Sequence, residues 1–179
     1  MTDSEFARAV RLDALGEGEH VIAIAASPEE RERLAARFGL LAVDRLDAEV
    51  RMTRAGRTVD LRGRFSADVT QSCVTTREPI PVTVADTFTL RFVPEDETPD
   101  DPGTEIGLSD EDCDTLFYRG GEIDVGEAVA ETMILALDPF PRHPDADAIL
   151  AAAGGLPNDD VSPFAGLRRA LDKRRNAPE

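Results

Sequence analysis

The stretch RTVDLRGRFSADVTQS, Arg57–Ser72, alternates apolar and polar residues along most of its length. Its apolar positions recur every second residue, so they share one face of an extended chain. These positions are Val59, Leu61, Phe65, Ala67 and Val69. The pattern predicts a β-strand with one buried face.

The neighbouring stretches repeat this pattern. DRLDAEVRMTRAG (residues 44–56) and PVTVADTFTLRFVP (residues 81–94) are predicted strands, and EHVIAIAAS (residues 19–27) is typical of a short buried strand. The apolar faces hold Leu46, Ala48, Val50 and Met52 in the first, and Val82, Val84, Phe88, Leu90 and Phe92 in the second. We expect a curved, mainly antiparallel β-sheet with one covered face, which either stays open or closes toward a small barrel.

A first helix is predicted over the sequence PEERERLAARF. Ser27 and Glu30 match a capping box, in which each side chain accepts a hydrogen bond from the other residue's backbone N–H. Gly39 suits a left-handed C-cap. Leu34 and Phe38 are four residues apart and should face the core, which makes the fold α+β.

A second helix is predicted over Val125–Asp138. Asp124 and Glu127 repeat the capping-box pattern, and Pro139 and Pro141 end the helix. Its sequence is apolar almost all round, so this helix should be the buried one.

Two segments carry extreme charge. Pro94–Asp114 holds ten acidic residues and no Lys or Arg, and five of the nine residues in Leu167–Arg175 are basic. We expect a long acidic loop from Pro94 to about Gly121, and a mobile C-terminal tail.

The chain should form one α+β domain over residues 1–145. A C-terminal extension with short helices should follow over residues 146–179, and Ser162 and Pro163 fit the start of its last helix. We find no internal repeat.

Composition limits the classes of function. The net charge of −16 disfavours binding to a bare phosphate backbone and favours either a solvated surface or a basic partner. No apolar run approaches the roughly 20 residues that span a bilayer, and the N-terminus does not match a secretory signal. With only two cysteines, we expect a cytoplasmic protein with reduced thiols and no membrane partner.

Cys73 lies in QSCVTTREPIP, between two predicted strands. As a nucleophile it would need a general base, but neither His20 nor His143 lies in a recognised nucleophile motif. As a zinc ligand it would need a partner such as a Cys-x-x-Cys cysteine, yet Thr76 stands at that position. Cys73, Cys113, His20 and His143 would together supply four ligands, but their spacing in the sequence does not match a known metal-binding motif. We therefore expect no catalytic residue, metal or cofactor, and a small buried side chain at Cys73.

Three longer stretches resemble one protein family. They are ERERLAARFGLLAVDRLDAEV, GRFSADVTQSCVTTREPIPVTVADTFTLRF and GEIDVGEAVAETMILALDPFPRHPDA. They resemble the YceD family of large ribosomal RNA subunit accumulation proteins, in its alphaproteobacterial form, over most of residues 5–146. The motifs that carry the resemblance are Gln71–Thr76 with Glu78-Pro79, and Asp124–Pro144.

The resemblance implies a small bacterial protein, related to a plastid protein, that is needed for normal accumulation of 23S ribosomal RNA. It implies no established catalytic activity. Many relatives carry a Cys-x-x-Cys where this chain has Cys73 and Thr76, and this chain lacks that pair. Cys73 is then either the remnant of such a Cys-x-x-Cys pair or a packing residue. It lies at a strand-turn-strand junction that we expect to serve as a contact surface.

We therefore expect a non-catalytic ribosome biogenesis factor that binds a basic ribosomal protein or a large-subunit assembly factor, with no small-molecule substrate. Candidate contact residues lie at the junction and after the second helix. They are Gln71, Cys73, Thr75, Thr76, Arg77, Glu78, Asp138, Pro139, Arg142 and His143.

Two alternatives stay open. The first is direct binding of 23S rRNA through the basic tail, although no aromatic residues accompany its cations. These cations are Arg168, Arg169, Lys173, Arg174 and Arg175. The second is an enzyme with a polar pocket, to which Arg64 and Asp68 on the outward face of one strand would contribute.

Overall fold

A computed structural model describes residues 4–16, 18–97 and 114–153. These residues form seven strands and three α-helices. In chain order the elements are β1 (Ala9–Arg11), β2 (Glu19–Ala25), α1 (Pro28–Phe38), β3 (Ala42–Ala55), β4 (Thr58–Ser72), β5 (Pro79–Pro94), β6 (Asp114–Tyr118), β7 (Glu122–Asp124), α2 (Val125–Leu135) and α3 (Ala146–Ala152). Single 3₁₀ turns follow β1 and β5, at Leu12–Ala14 and Glu95–Glu97.

The described residues divide into two compact units. The first contains the chain up to Gln71 together with Pro81–Pro139, and so holds both larger helices and nearly all of the sheet. The second contains Ser72–Ile80 and the described residues from Phe140 onward.

The main sheet has five strands in the order β2-β3-β4-β5-β6. β2 pairs with β3, and β3 with β4, in antiparallel register. Ile24, Ala48 and Phe65 are aligned across three strands, so their side chains lie on the same face. The predicted α+β fold with a mainly antiparallel sheet is confirmed.

Burial follows the period-2 pattern of the sequence. Every apolar position predicted on the inner faces of β3 and β4 is buried. In β5, Phe88, Leu90 and Phe92 are buried, whereas Val82 and Val84 are only partly buried against the core. The alternation therefore predicted which face of the sheet is covered.

The capping signals of α1 are confirmed. The Ser27 side chain accepts a hydrogen bond from the Glu30 N–H, and the Glu30 carboxylate accepts one from the Ser27 N–H. Gly39 closes the helix in the left-handed conformation, with φ 66°. Leu34 is fully buried and Phe38 packs against the core.

α2 differs from its prediction at both ends. Asp124 accepts a hydrogen bond from the Glu127 N–H at 3.1 Å, but the Glu127 carboxylate bonds Arg37 instead of completing the box. The helix ends at Leu135 rather than Asp138. Its last turn tightens, because the Leu137 N–H bonds the carbonyl three residues earlier.

Two features of the sheet correct the prediction, and a third decides between the predicted alternatives of an open sheet and a small barrel. β6 lies inside the stretch predicted as a continuous acidic loop up to Gly121, and it pairs with β5 in parallel register. Formed by the described strands, the sheet is open, with β2 and β6 at its edges, so it does not close into a barrel. β1 and β7, which were not predicted, form a separate two-stranded antiparallel sheet.

Several predictions fall outside the described residues. These are the central part of the acidic loop, Cys113, the helix beginning at Ser162 and Pro163, and the basic tail. Within the described residues, every helix is too short or too polar to cross a membrane.

Candidate functional site

A tight turn follows β4 at the predicted junction. The Cys73 N–H donates to the Glu78 carbonyl at 2.9 Å, and the Arg77 N–H donates to the Cys73 carbonyl at 3.0 Å. Arg77 has φ 65°, and among the described residues it is the only non-glycine in the left-handed region. Because a side chain is disfavoured there, the surrounding hydrogen bonds must hold this conformation in place.

The Cys73 sulfur is the centre of this turn. Cys73 is a free thiol with no exposed surface. Its Sγ accepts hydrogen bonds from the backbone N–H of Thr76 at 3.4 Å and of His143 at 3.3 Å. The sulfur therefore joins the turn to a segment 70 residues later in the chain.

These donors change the acidity of the thiol. The Thr76 side chain, together with the backbone N–H groups of His143, Thr76 and Thr75, stabilises a negative charge on the sulfur. They lower the pKa of Cys73 to about 6, against the opposing effect of burial. Cys73 is thus a buried packing residue that also carries thiolate character at neutral pH.

Backbone bonds fix the later segment. The Val74 N–H donates to the Pro141 carbonyl at 2.9 Å, and the His143 carbonyl accepts from the Ala146 N–H at 2.9 Å. The His143 Nδ1 accepts from the Asp145 N–H at 3.1 Å. We call Cys73, Val74, Thr75, Thr76, Pro141 and His143 the Cys73–His143 cluster.

The surface of the second unit combines apolar and charged side chains. Phe140 is 74% exposed and Val74 is 45% exposed. Thr75, Arg77 and Glu78 are also exposed. The Arg142 guanidinium pairs with Asp147 at 2.9 Å. The turn therefore presents side chains to solvent while its backbone and its sulfur are held internally.

The first unit contains the other part of the predicted contact set. Gln71 is the one buried polar residue among those described, and its Nε2 donates to the Asp138 carbonyl at 2.9 Å. Pro139 follows at the surface. Within each unit, the structure thus links the junction to the segment after α2.

Arg64 and Asp68, the residues suggested for an enzyme pocket, bind side chains on the neighbouring strands. Arg64 lies 3.1 Å from Glu49, and Asp68 bonds both Arg45 and Thr83. In residues 4–16, 18–97 and 114–153, no group of three His, Cys, Asp or Glu side chains is placed to hold a metal ion. The tail cations proposed to contact RNA lie outside this part of the chain.

Sequence reasoning missed three residues of this surface. Pro141 was treated only as a helix terminator, and Val74 and Phe140 were not singled out. Val74 lies within the Gln71–Thr76 motif, and an apolar residue at a turn is a usable signal. The bonds of the Pro141 carbonyl leave no trace in the sequence.

We expect the Cys73 thiol to titrate with a midpoint near pH 6 in the folded protein. The measurement is the ultraviolet absorbance of the thiolate in a Cys113→Ser variant, which leaves Cys73 as the only thiol. The folded-state pKa lies below the ordinary value of about 8.5. Ionisation therefore stabilises the folded protein fully above about pH 8.5, and this contribution is lost as the pH falls through about 6.

The denatured protein is the control for this titration. In concentrated urea the N–H donors are no longer organised around the sulfur, and the midpoint should return to about 8.5. A folded-state midpoint near the denatured value would contradict the predicted role of the hydrogen bonds.

Comparison with known proteins identifies the family. The family model described as Large ribosomal RNA subunit accumulation protein YceD matches residues 61–169, which is more than half of the chain. This range contains the junction, the Cys73–His143 cluster and α2. No curated protein and no solved structure matches the chain. The chain therefore belongs to the YceD family, whose name implies a role in the accumulation of large-subunit ribosomal RNA.

Proposed function

We propose that this protein is a non-catalytic ribosome biogenesis factor that supports 23S rRNA accumulation by binding a basic ribosomal protein or a large-subunit assembly factor. The contact residues we propose are those predicted at the junction and after α2. They are Gln71, Cys73, Thr75, Thr76, Arg77, Glu78, Asp138, Pro139, Arg142 and His143.

The observation that carries the proposal is the exposure of Val74 and Phe140 beside an internally bonded turn. Aromatic side chains such as Phe140 are enriched at protein interfaces, and the exposed Val74 adds apolar surface to the same unit. The backbone groups of Cys73 and the sulfur itself are occupied by internal bonds. The cluster therefore supports a role in contact rather than in chemistry.

The charge of the chain supports a basic partner. A net charge of −16 attracts ribosomal proteins rich in Lys and Arg and repels free rRNA at physiological ionic strength. The apolar side chains of Val74 and Phe140 would contribute binding affinity, and the electrostatic field of the acidic surface would speed association with the partner.

The test is a pull-down of the tagged full-length chain from a bacterial lysate. Each sample is divided into RNase-treated and untreated halves and washed at low or moderate salt, and proteins and RNA are both identified. We expect ribosomal proteins or assembly factors to remain after RNase treatment and to be lost with added salt. Recovery of 23S rRNA fragments that disappear with RNase would instead support direct RNA binding.

A matched pair of variants assigns the surface. The double variant Val74→Ser, Phe140→Ser removes both exposed anchors of the second unit. Leu41→Ser removes a comparable side chain, 55% exposed, from the first unit. We expect the double variant to recover about tenfold less partner and the Leu41 variant to behave like the natural chain. Equal recovery of partner by all three proteins would contradict the proposal that the surface around Val74 and Phe140 binds the partner.

A further inference from the structure

Strand β2 forms one edge of the main sheet, and its outer side has no strand beside it among the described residues. Directly after β2, the Ala26 N–H donates to the Leu46 carbonyl of β3 at 2.9 Å and continues the register of this antiparallel pair. In an antiparallel pair, every second residue directs its backbone groups toward the neighbouring strand. The backbone groups of Glu19, Val21 and Ala23 therefore point away from β3.

The described contacts leave this side of β2 open. The Ala25 carbonyl, which points the same way, accepts a hydrogen bond from the Arg8 guanidinium at 2.9 Å, and that bond occupies only the C-terminal end of the edge. No group in residues 4–16, 18–97 and 114–153 bonds to the N–H of Val21 or Ala23. The Val21 side chain is 52% exposed. The backbone of these two residues is therefore available to a further strand.

β2 lacks the features that usually protect an edge strand. Natural sheets protect their edges with Lys, Pro, charged side chains or a β-bulge. From His20 to Ala26 the sequence contains no Lys, Arg, Asp, Glu or Pro, and the register of β2 with β3 shows no bulge. Unpaired N–H and C=O groups on such a strand are a template for another extended chain.

A cavity of about 770 Å³ is lined by β2 together with the three strands that follow it in the sheet. We call it the β2 groove. Ala23 is aligned with Glu49 of β3, and Ala25 with Asp47, on the face opposite to the buried Ala48. The alanine side chains are small, and the Glu49 and Asp47 side chains remain 33% and 47% exposed. A long side chain that crosses the edge can therefore reach both carboxylates.

The lining of the β2 groove is acidic. It contains the carboxylates of Asp47, Glu49 and Asp86, and Arg64 is its only cation. Glu49 pairs with Arg64 and Arg51 at 3.1 Å each, and Asp47 pairs with an arginine of its own strand. These pairs are exposed and contribute little, so an incoming Lys or Arg can compete for the carboxylates. The net charge of −16 adds a long-range attraction for a basic segment.

We propose that β2 accepts an extended, basic segment of a partner protein as an additional antiparallel strand. The segment bonds to the backbone of Val21 and Ala23 and directs Lys or Arg across Ala23 toward Glu49. Its alternate side chains are apolar and pack beside Ile22, which contacts the core from the other face. Main-chain hydrogen bonds supply affinity in this mode, and side-chain pockets supply specificity. The inference rests on the proposed function only in taking the partner to be a basic protein, and its surface is distinct from the Cys73–His143 cluster.

The test uses the full-length chain and a short capped peptide that alternates lysine and valine and carries a fluorophore. Fluorescence anisotropy measures its binding to the natural chain and to the variant Ala23→Pro. The N–H of residue 23 points away from β3, so proline removes a bond to the peptide and none within the sheet. We expect binding to weaken at least tenfold, while the circular dichroism spectrum stays that of the natural chain.

A second variant tests the carboxylate. Glu49→Gln removes the charge and keeps the size of the side chain, and it should weaken peptide binding about fivefold. Asp114→Asn is the matched control, because it removes the same charge at an exposed position of β6, at the opposite edge of the sheet. It should weaken binding less than twofold at physiological salt.

A modified peptide tests the backbone bonds. Methylation of the backbone nitrogen of every lysine keeps the charges but removes the N–H groups that face β2 in an antiparallel strand, so this peptide should bind at least tenfold more weakly. In nuclear magnetic resonance spectra, the unmodified peptide should protect the amides of Val21 and Ala23 from hydrogen exchange. The amides of Ile22 and Ile24 already face β3 and should change less.

The outcomes distinguish this inference from the proposed function. Equal binding of both peptides, equal effects of Glu49→Gln and Asp114→Asn, or dimerisation of the chain through β2 in place of peptide binding would each overturn the assignment. If Ala23→Pro does not fold, the modified peptide and Glu49→Gln still decide. No peptide binding, with ribosomal proteins recovered in the pull-down, would overturn this inference alone. Peptide binding that Ala23→Pro abolishes, without any recovered ribosomal protein, would sustain it and contradict the proposed function.

Discussion

Replacing Gly126 with alanine will destabilise the protein by about 3 kcal/mol. Gly126 lies in the first turn of α2, where the N-terminal segment crosses it. A Cβ atom built there would lie 1.8 Å from the Phe6 carbonyl oxygen and 3.0 Å from the Arg8 nitrogen. Both obstacles are backbone atoms, so no side-chain rotation relieves the overlap. The higher helix propensity of alanine returns only about 1 kcal/mol.

The backbone cannot retreat without breaking other bonds. The Arg8 N–H donates to the Asp124 side chain at 2.8 Å, and the Arg8 carbonyl accepts from the Val125 N–H at 3.1 Å. The Arg8 guanidinium also forms two hydrogen bonds with the Glu30 carboxylate, at 2.7 and 2.9 Å. Displacing this segment would expose Phe6, which is fully buried.

Urea unfolding followed by far-ultraviolet circular dichroism measures the change, since the chain has no tryptophan for fluorescence. Gly16→Ala is the control, because a Cβ at Gly16 meets nothing within 4 Å. It should change the free energy of unfolding by less than about 1 kcal/mol. If Gly126→Ala were as stable as this control, the close crossing of Phe6 over α2 would be wrong.

The parts of the fold predicted from sequence are those that local chemistry determines. Strands β3 and β4 carry long, regular alternation, and the Ser27–Glu30 box and Gly39 mark both ends of α1. β1 and β7 have three residues each, which is too short to show a period. β6 follows a run of acids whose composition predicts a loop, and its parallel pairing depends on residues far apart in the chain. Such pairing is decided by packing that a single sequence does not reveal.

The candidate site divides in the same way. The flanking strands and Pro79 predicted the strand-turn-strand junction, and a small side chain between strands predicted the burial of Cys73. The acceptor role of its sulfur depends on the backbone of His143, 70 residues away. The bond from Gln71 to Asp138 spans 67 residues. Contacts made by backbone atoms are nearly independent of side-chain identity, so the sequence carries little sign of them.

Replacing Leu34 with alanine is expected to have an effect of similar size, about 3 kcal/mol. Leu34 is the only residue of α1 that is fully buried. The other contacts of α1 are mainly polar bonds at its surface, such as those of Arg31 to the β3 backbone and of Arg37 to Glu127, and the partly buried Phe38. These contacts cannot fill the cavity that the missing side chain leaves. The loss of stability therefore includes both the hydrophobic free energy of the removed atoms and the cost of the cavity.

Two variants on the same helix test this mechanism by urea unfolding. Leu34→Met keeps nearly the same volume and should cost less than about 1.5 kcal/mol. Glu32→Ala changes an exposed position and should alter stability by less than about 0.5 kcal/mol. A loss that follows side-chain volume at position 34, and not helix propensity, would show that packing holds α1 on the sheet. Equal losses for Leu34→Ala and Leu34→Met would contradict it, because only the alanine variant opens a cavity.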